Sequence, residues 1–151
     1  MWQIAYTSSN LVARHSGTLP ALITCPHDGD IFPPGVPERT GQTTPPGCDF
    51  ETTRDLRARE VATGVAQRLL DIFGEAPYVV IAEFHRKTID ANRSRVCAFE
   101  DDAAQPFYEE YHNTVRTFVD QIRFDNAGLV CNPAWKKDPV GGVIGVQKGP
   151  L

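Results

Sequence analysis

His27 and Asp30 stand three positions apart in the run Cys25-Pro26-His27-Asp28-Gly29-Asp30. At that offset an imidazole nitrogen and a carboxylate oxygen can meet at one divalent ion, which makes the pair candidate metal ligands. Taken alone, the same residues also fit a polar turn at the end of a strand. A second group follows later, in His85-Arg86-Lys87-Thr88-Ile89-Asp90-Ala91-Asn92-Arg93-Ser94-Arg95. Guanidinium forks grip carboxylates bidentately and an amide adds orientation, so Arg86, Asn92 and Arg93 are candidates for a carboxylate socket. A solvated basic loop is the alternative. His85, His112 and Asp55 are candidates for the edge of such a site. Asp55 also reads as a helix-capping carboxylate, and His112 lies one step off an apolar helical stripe that holds Tyr111. Glu83, inside a strand, needs a buried partner such as Arg86.

These residues need elements to hold them. The apolar run Leu19 to Cys25 predicts a buried strand ending at Pro26, and Pro77 to Phe84 predicts another. His27 and His85 then sit at strand exits, where α/β folds gather ligands. A short edge strand is expected around Trp2 to Tyr6. Residues 30–50 are dense in Pro and Gly, which predicts a long loop. A helix is expected from Thr52 or Thr53 to Gly74, with Asp55 in its first turn and Val61, Val65, Leu69 and Phe73 on its buried stripe. A second helix is expected from Pro106, with Phe107, Tyr111, Val115, Phe118 and Ile122 facing the core. Asn126 to Cys131 has the composition to begin a third strand. Strand, helix, strand, helix with continuous apolar strands indicates an α/β sandwich.

The 151 residues are enough for one domain with a real core, and 41% hydrophobic and 23% charged residues are ordinary for a globular chain. A net charge of −4 gives no electrostatic argument for nucleic acid or an anionic membrane, though a local basic cluster can serve one small anion. No apolar run approaches the roughly 20 residues of a membrane span, and the N-terminus lacks the pattern of a secretory signal. Cys25, Cys48, Cys97 and Cys131 form no C-x-x-C pair and read as reduced thiols, which makes the cytoplasm the expected compartment.

The ordered set of motifs resembles the N-formylglutamate amidohydrolase family. Cys25-Pro26-His27-Asp28-Gly29-Asp30, with Pro33-Pro34 soon after, is similar to that family's Pro-His-[small]-Gly signature. Ile89-Asp90-Ala91-Asn92-Arg93 is similar to its Val-x-Asp-x-Asn-Arg signature, and Tyr108 to His112 stands where the family has a Tyr/His-rich helix. Order and spacing agree over about residues 20 to 123. The resemblance implies a three-layer α/β/α sandwich of the zinc-carboxypeptidase-like (phosphorylase/hydrolase-like) type. It implies a metal-dependent amidohydrolase acting on an N-acyl amino acid that carries a carboxylate. His27 would be the first ligand to zinc or another divalent metal and Asp30 the acidic one. Asn92 and Arg93, assisted by Arg86, would hold the substrate's carboxylate. A metal ion would activate water for attack on the amide.

Two of the family's parts are missing. After the second helix the family runs Gly-Leu-Leu-x-Asp-x-His-Gly, which supplies a distant metal histidine. Here Asn126 to Lys136 contains none, and no histidine follows His112. The general base that the family carries further on is missing too. Read one nucleotide later, codons for Ala127 to Lys136 permit a peptide ending in Gln-His-Gly-Lys, so a frame-shifted or truncated C-terminus is one expectation. The fold is thus expected to be incomplete, with residues 1–127 the N-terminal part of the domain and 128–151 an irregular tail. A non-catalytic carboxylate- or amino-acid-binding remnant, or an inactive truncated product, is the alternative function. Oligomeric state has no signature in the chain.

Overall fold

The computed structural model describes residues 3–126. In chain order these form β1 (Ala5–Tyr6), β2 (Val12–His15), β3 (Leu19–Cys25), α1 (Ala58–Phe73), β4 (Pro77–Ala82), α2 (Arg95–Ala98), one 3₁₀ turn (Asp102–Ala104) and α3 (Gln105–Asp125). The four strands make one mixed sheet in the order β1-β2-β4-β3. β3 and β4 run parallel, with Ile23 opposite Val79 and Cys25 opposite Ile81, while β2 pairs antiparallel with β4 and β1 with β2.

β4 is buried along its whole length because helices cover both of its faces. Tyr78, Val80 and Ala82 join Tyr108, Tyr111 and Phe118 of α3 in one apolar cluster, and Val79 and Ile81 join Ala62 and Ala66 of α1 in another. The α/β expectation holds at that level. The stripe predicted for α3 also holds, with Tyr111 and Phe118 buried and Phe107, Val115 and Ile122 packed partly against them. Among the described residues no helix is long and apolar enough to cross a membrane.

Three expectations need correction. α1 starts at Ala58 rather than near Thr52, because Arg57 takes a left-handed conformation (φ 69°) and the residues before it bond to the strand exits instead of to a helix. Its sheet-facing row is Ala58, Ala62 and Ala66, one step from the predicted row; Val61, Val65 and Phe73 are 64%, 46% and 60% exposed. Both rows have four-residue spacing, and the small side chains win because they let the helix lie close to the sheet. Thirdly, Cys48 and Cys97 are joined in a disulfide with Cα atoms 5.6 Å apart, so the reading of reduced thiols fails for this pair. Cys25 is a buried free thiol. The expected strand beyond Asn126, the tail 128–151, Cys131 and Trp2 lie outside the described residues.

Gly29 fixes how the chain leaves β3. A Cβ there would fall 2.2 Å from the carbonyl carbon of Glu83, so only glycine lets the turn pass so close to the end of β4. Beyond it, the Ile31 N–H donates to the Glu83 carbonyl (2.9 Å) and the His85 N–H to the Ile31 carbonyl (2.7 Å), extending the parallel pairing by one bridge, Ile31 to Phe84. The two strand exits are thereby locked side by side.

Candidate functional site

Pro26 ends β3 and delivers His27, which is 4% exposed, to the exit of the neighbouring strand. After β4 the chain winds tightly. The Thr88 N–H and hydroxyl both donate to the His85 carbonyl, and the Asp90 N–H donates to the Ala98 carbonyl (2.8 Å). That path buries Asp90 completely. Its Oδ1 faces His27 Nε2 at 2.7 Å and accepts the Asn92 N–H at 3.1 Å. Its Oδ2 accepts from Arg86 Nε at 3.0 Å and lies 3.7 Å from Arg93 Nε. Burial alone would raise the Asp90 carboxyl, but the His27 hydrogen bond and charge and the Arg86 guanidinium together hold it well below the usual carboxylate range.

Asp55 closes the arrangement into a ring. Its Oδ2 lies 3.1 Å from His27 Nδ1 and its Oδ1 lies 3.5 Å from Arg86 NH1, which also donates to the Thr53 carbonyl (3.1 Å). The Asp55 N–H donates to the His27 carbonyl (3.1 Å). The capping role expected of Asp55 belongs instead to Asp28, whose Oδ2 accepts the Arg59 N–H at the start of α1 (2.8 Å). Glu83 is paired with Arg59 (2.5 and 2.6 Å) rather than with Arg86.

The remaining predicted residues are sorted by this ring. Asp30 makes no bond to His27; it is exposed on a cleft of about 350 Å³ shared with Asp28, Arg54, Arg57 and Glu83. The pairing of residue 31 with the β4 extension takes the chain away from the ring, and Asp55, not Asp30, is the carboxylate beside His27 Nδ1. Arg86 is buried and grips the protein's own Asp90, so it does not belong to a socket for an outside carboxylate. Arg93 and Asn92 remain on the open side. The Arg93 side chain is 22% exposed, with NH1 3.4 Å from the exposed Asp49, and its carbonyl accepts the Tyr108 hydroxyl (2.9 Å). Asn92 is exposed, and its amide group has no partner among the described residues.

His85 stacks on Phe32 (centroids 4.7 Å apart) and its Nδ1 accepts the Lys87 N–H (2.9 Å); burial first, then the Arg54 and Lys87 charges, lower its pKa. His112 packs against Tyr108 and Tyr111, with ring centroids 4.2 and 5.3 Å away. Its Nε2 is buried without a hydrogen-bond partner and burial lowers its pKa, so it belongs to the helix packing beneath residues 91–93.

Arg39 escaped the sequence reading. It is 6% exposed and donates from NH2 to the carbonyls of Glu51 and Arg86, both at 2.6 Å, while its backbone N–H donates to the Lys87 carbonyl (2.8 Å). Burial lowers its pKa. An arginine in a Pro/Gly-rich loop carries no local mark of such a role.

A metal held here would have His27 Nδ1 and Asp55 as donors, with Asp90 steadying the other ring nitrogen as outer carboxylates do. Three protein ligands are the norm for a catalytic zinc. Among the described residues no three His, Cys, Asp or Glu side chains gather for one ion. The donor set therefore falls short of a complete metal centre. Of the three residues expected to hold a carboxylate, Arg93 and Asn92 are the two that are not buried, and Arg93 faces Asp90 and Asp49. No protein-family description, curated protein or solved structure matches the chain.

Proposed function

We propose that this chain recognises the carboxylate of an N-acyl amino acid through Arg93 and Asn92, as the recognition half of an N-formylglutamate amidohydrolase-like fold. The observation that carries the reading is the 2.7 Å contact between His27 and Asp90, which joins the two motifs of the resemblance across 63 residues. Asp90 then has a clear task. It holds His27 on one oxygen and the base of the Arg93 loop through Arg86 and the Asn92 N–H on both. Arg93 offers its guanidinium to the incoming carboxylate in competition with Asp49 at NH1. A helix on each face of the sheet supports the three-layer α/β/α reading of the zinc-carboxypeptidase-like type.

Calorimetric titration with N-formyl-L-glutamate tests the proposal. Hydrogen bonds to a charged group contribute about 1.5–3 kcal/mol, so Arg93→Ala should weaken binding by roughly 10- to 100-fold with an unchanged melting profile. Equal affinity of the two proteins would sink the reading. A metal-dependent amidohydrolase is the second reading, favoured by the exposed Asp55 beside His27 Nδ1. Release of formate on addition of zinc, lost in His27→Ala, would establish it.

A further inference from the structure

The segment 39–51 reaches Arg93 through Asp49 and is tied down along its length. Arg39 closes its two ends by donating to the Glu51 carbonyl (2.6 Å), which gives it the compact shape of an Ω-loop. Glu100 accepts the N–H groups of Thr40 and Gly41, each at 2.7 Å, and the Thr44 hydroxyl at 3.0 Å. The Cys48–Cys97 disulfide fastens the far limb to α2, four residues after Arg93. The residue next to that disulfide is Asp49. Its side chain is 85% exposed, and its Oδ2 lies 3.4 Å from Arg93 NH1. A carboxylate on this guanidinium is the same chemistry that the site offers to an outside ligand.

We propose that segment 39–51 is a disulfide-latched autoinhibitory strap, in which Asp49 occupies Arg93 in place of the ligand's carboxylate. The inference rests on the reading of Arg93 as a carboxylate anchor. The latch opens by thiol–disulfide exchange with a dithiol. Its thiolate attacks one sulfur, the Cys48–Cys97 bond breaks, and both cysteines end as thiols while the dithiol is oxidised to its own disulfide with two electrons transferred. The Glu100 and Arg39 ties persist, so the strap loosens near Asp49 without unfolding. An exposed ion pair contributes only a fraction of a kcal/mol to about one. Freeing Arg93 should therefore tighten carboxylate binding by about twofold to fivefold.

The test titrates N-formyl-L-glutamate into oxidised wild type, dithiothreitol-treated wild type, the Cys48→Ser/Cys97→Ser double variant, Asp49→Asn and Arg93→Ala, with folding checked by circular dichroism. A non-reducing peptide map must show the Cys48–Cys97 link in the oxidised sample; its absence refutes the latch. The expected result is a rise of about twofold to fivefold on reduction, in the double serine variant and in oxidised Asp49→Asn, with no further rise when Asp49→Asn is reduced. If Asp49→Asn binds like oxidised wild type while Arg93→Ala loses binding, the strap is wrong and carboxylate recognition stands. If Arg93→Ala binds like wild type, the recognition reading itself is wrong. Asp49→Asn keeps the inference refutable even where reduction unfolds the protein.

Discussion

Replacing Asp90 by asparagine preserves the shape of the side chain and removes its charge from a site with no solvent access. In the native protein one carboxylate meets His27 at 2.7 Å, Arg86 at 3.0 Å and the Asn92 N–H at 3.1 Å. An amide presents a nitrogen to at least one of these donors and leaves the buried Arg86 with only the half-exposed Asp55, 3.5 Å away, as a counter-ion. Breaking a buried pair from one side costs about 3–5 kcal/mol. Adding the two charge-assisted bonds at about 1.5–3 kcal/mol each reaches the same range. Against a total stability of about 5–15 kcal/mol this is a large share, and it corresponds to a fall in melting temperature of roughly 10–20 °C. Urea titration followed by circular dichroism measures it, with an unchanged slope confirming that stability alone has moved. Asp55→Asn is the internal control: that side chain is 56% exposed, so its loss should cost about 1 kcal/mol or less. An Asp90→Asn protein within about 1 kcal/mol of wild type would refute the claim that Asp90 organises the site.

The depressed pKa of Asp90 gives a second signature. Its stabilisation is fully present above the ordinary aspartate pKa near 4 and is lost progressively as pH falls toward the folded-state value, so the gap between wild type and Asp90→Asn should be full above that pKa and narrow steadily below it. Reducing the Cys48–Cys97 bond, which closes 49 positions of chain, should lower stability by up to about 4 kcal/mol in the chain-entropy account, measured by urea melts with and without dithiothreitol. A drop below about 0.5 kcal/mol would mean that the loop is already ordered in the unfolded chain. Gly29→Ala should destabilise by about 1–3 kcal/mol and weaken N-formyl-L-glutamate binding, because the added methyl meets the Glu83 backbone and must push the two strand exits apart. Unchanged binding in a folded Gly29→Ala protein would show that the exits need not be held so closely.

The elements that position the site were legible wherever burial dictated the residue type. β3 stops at its proline as expected, β4 is apolar on both faces because both are covered, and α3 shows its stripe. α1 was misread because two rows of equal period compete in the sequence and only packing distance selects the alanine one. The site was legible as two motifs at two strand ends. Which carboxylate would face His27 was not: Asp30 is near in sequence, whereas Asp55 arrives from a segment whose path is set by Thr53, Asp55 and Arg57 backbone geometry. Arg86 looked like a ligand residue because its type suits an outside carboxylate as well as an inside one. The Cys48–Cys97 bond leaves no trace in spacing, since its ends are 49 positions apart with α1 and β4 between them.

The His27–Asp90 contact has a consequence for how the protein is made. It bridges 63 residues, and neither partner is placed until β3 and β4 have paired in parallel, the kind of non-local step whose loop-closure entropy is met late in folding. The ring of charges therefore depends on that pairing. A chain in which these strands have not paired lacks the ring. A carboxylate ligand of the proposed kind would bind the finished fold and not its precursors, raising the apparent stability of the finished fold with the logarithm of ligand concentration.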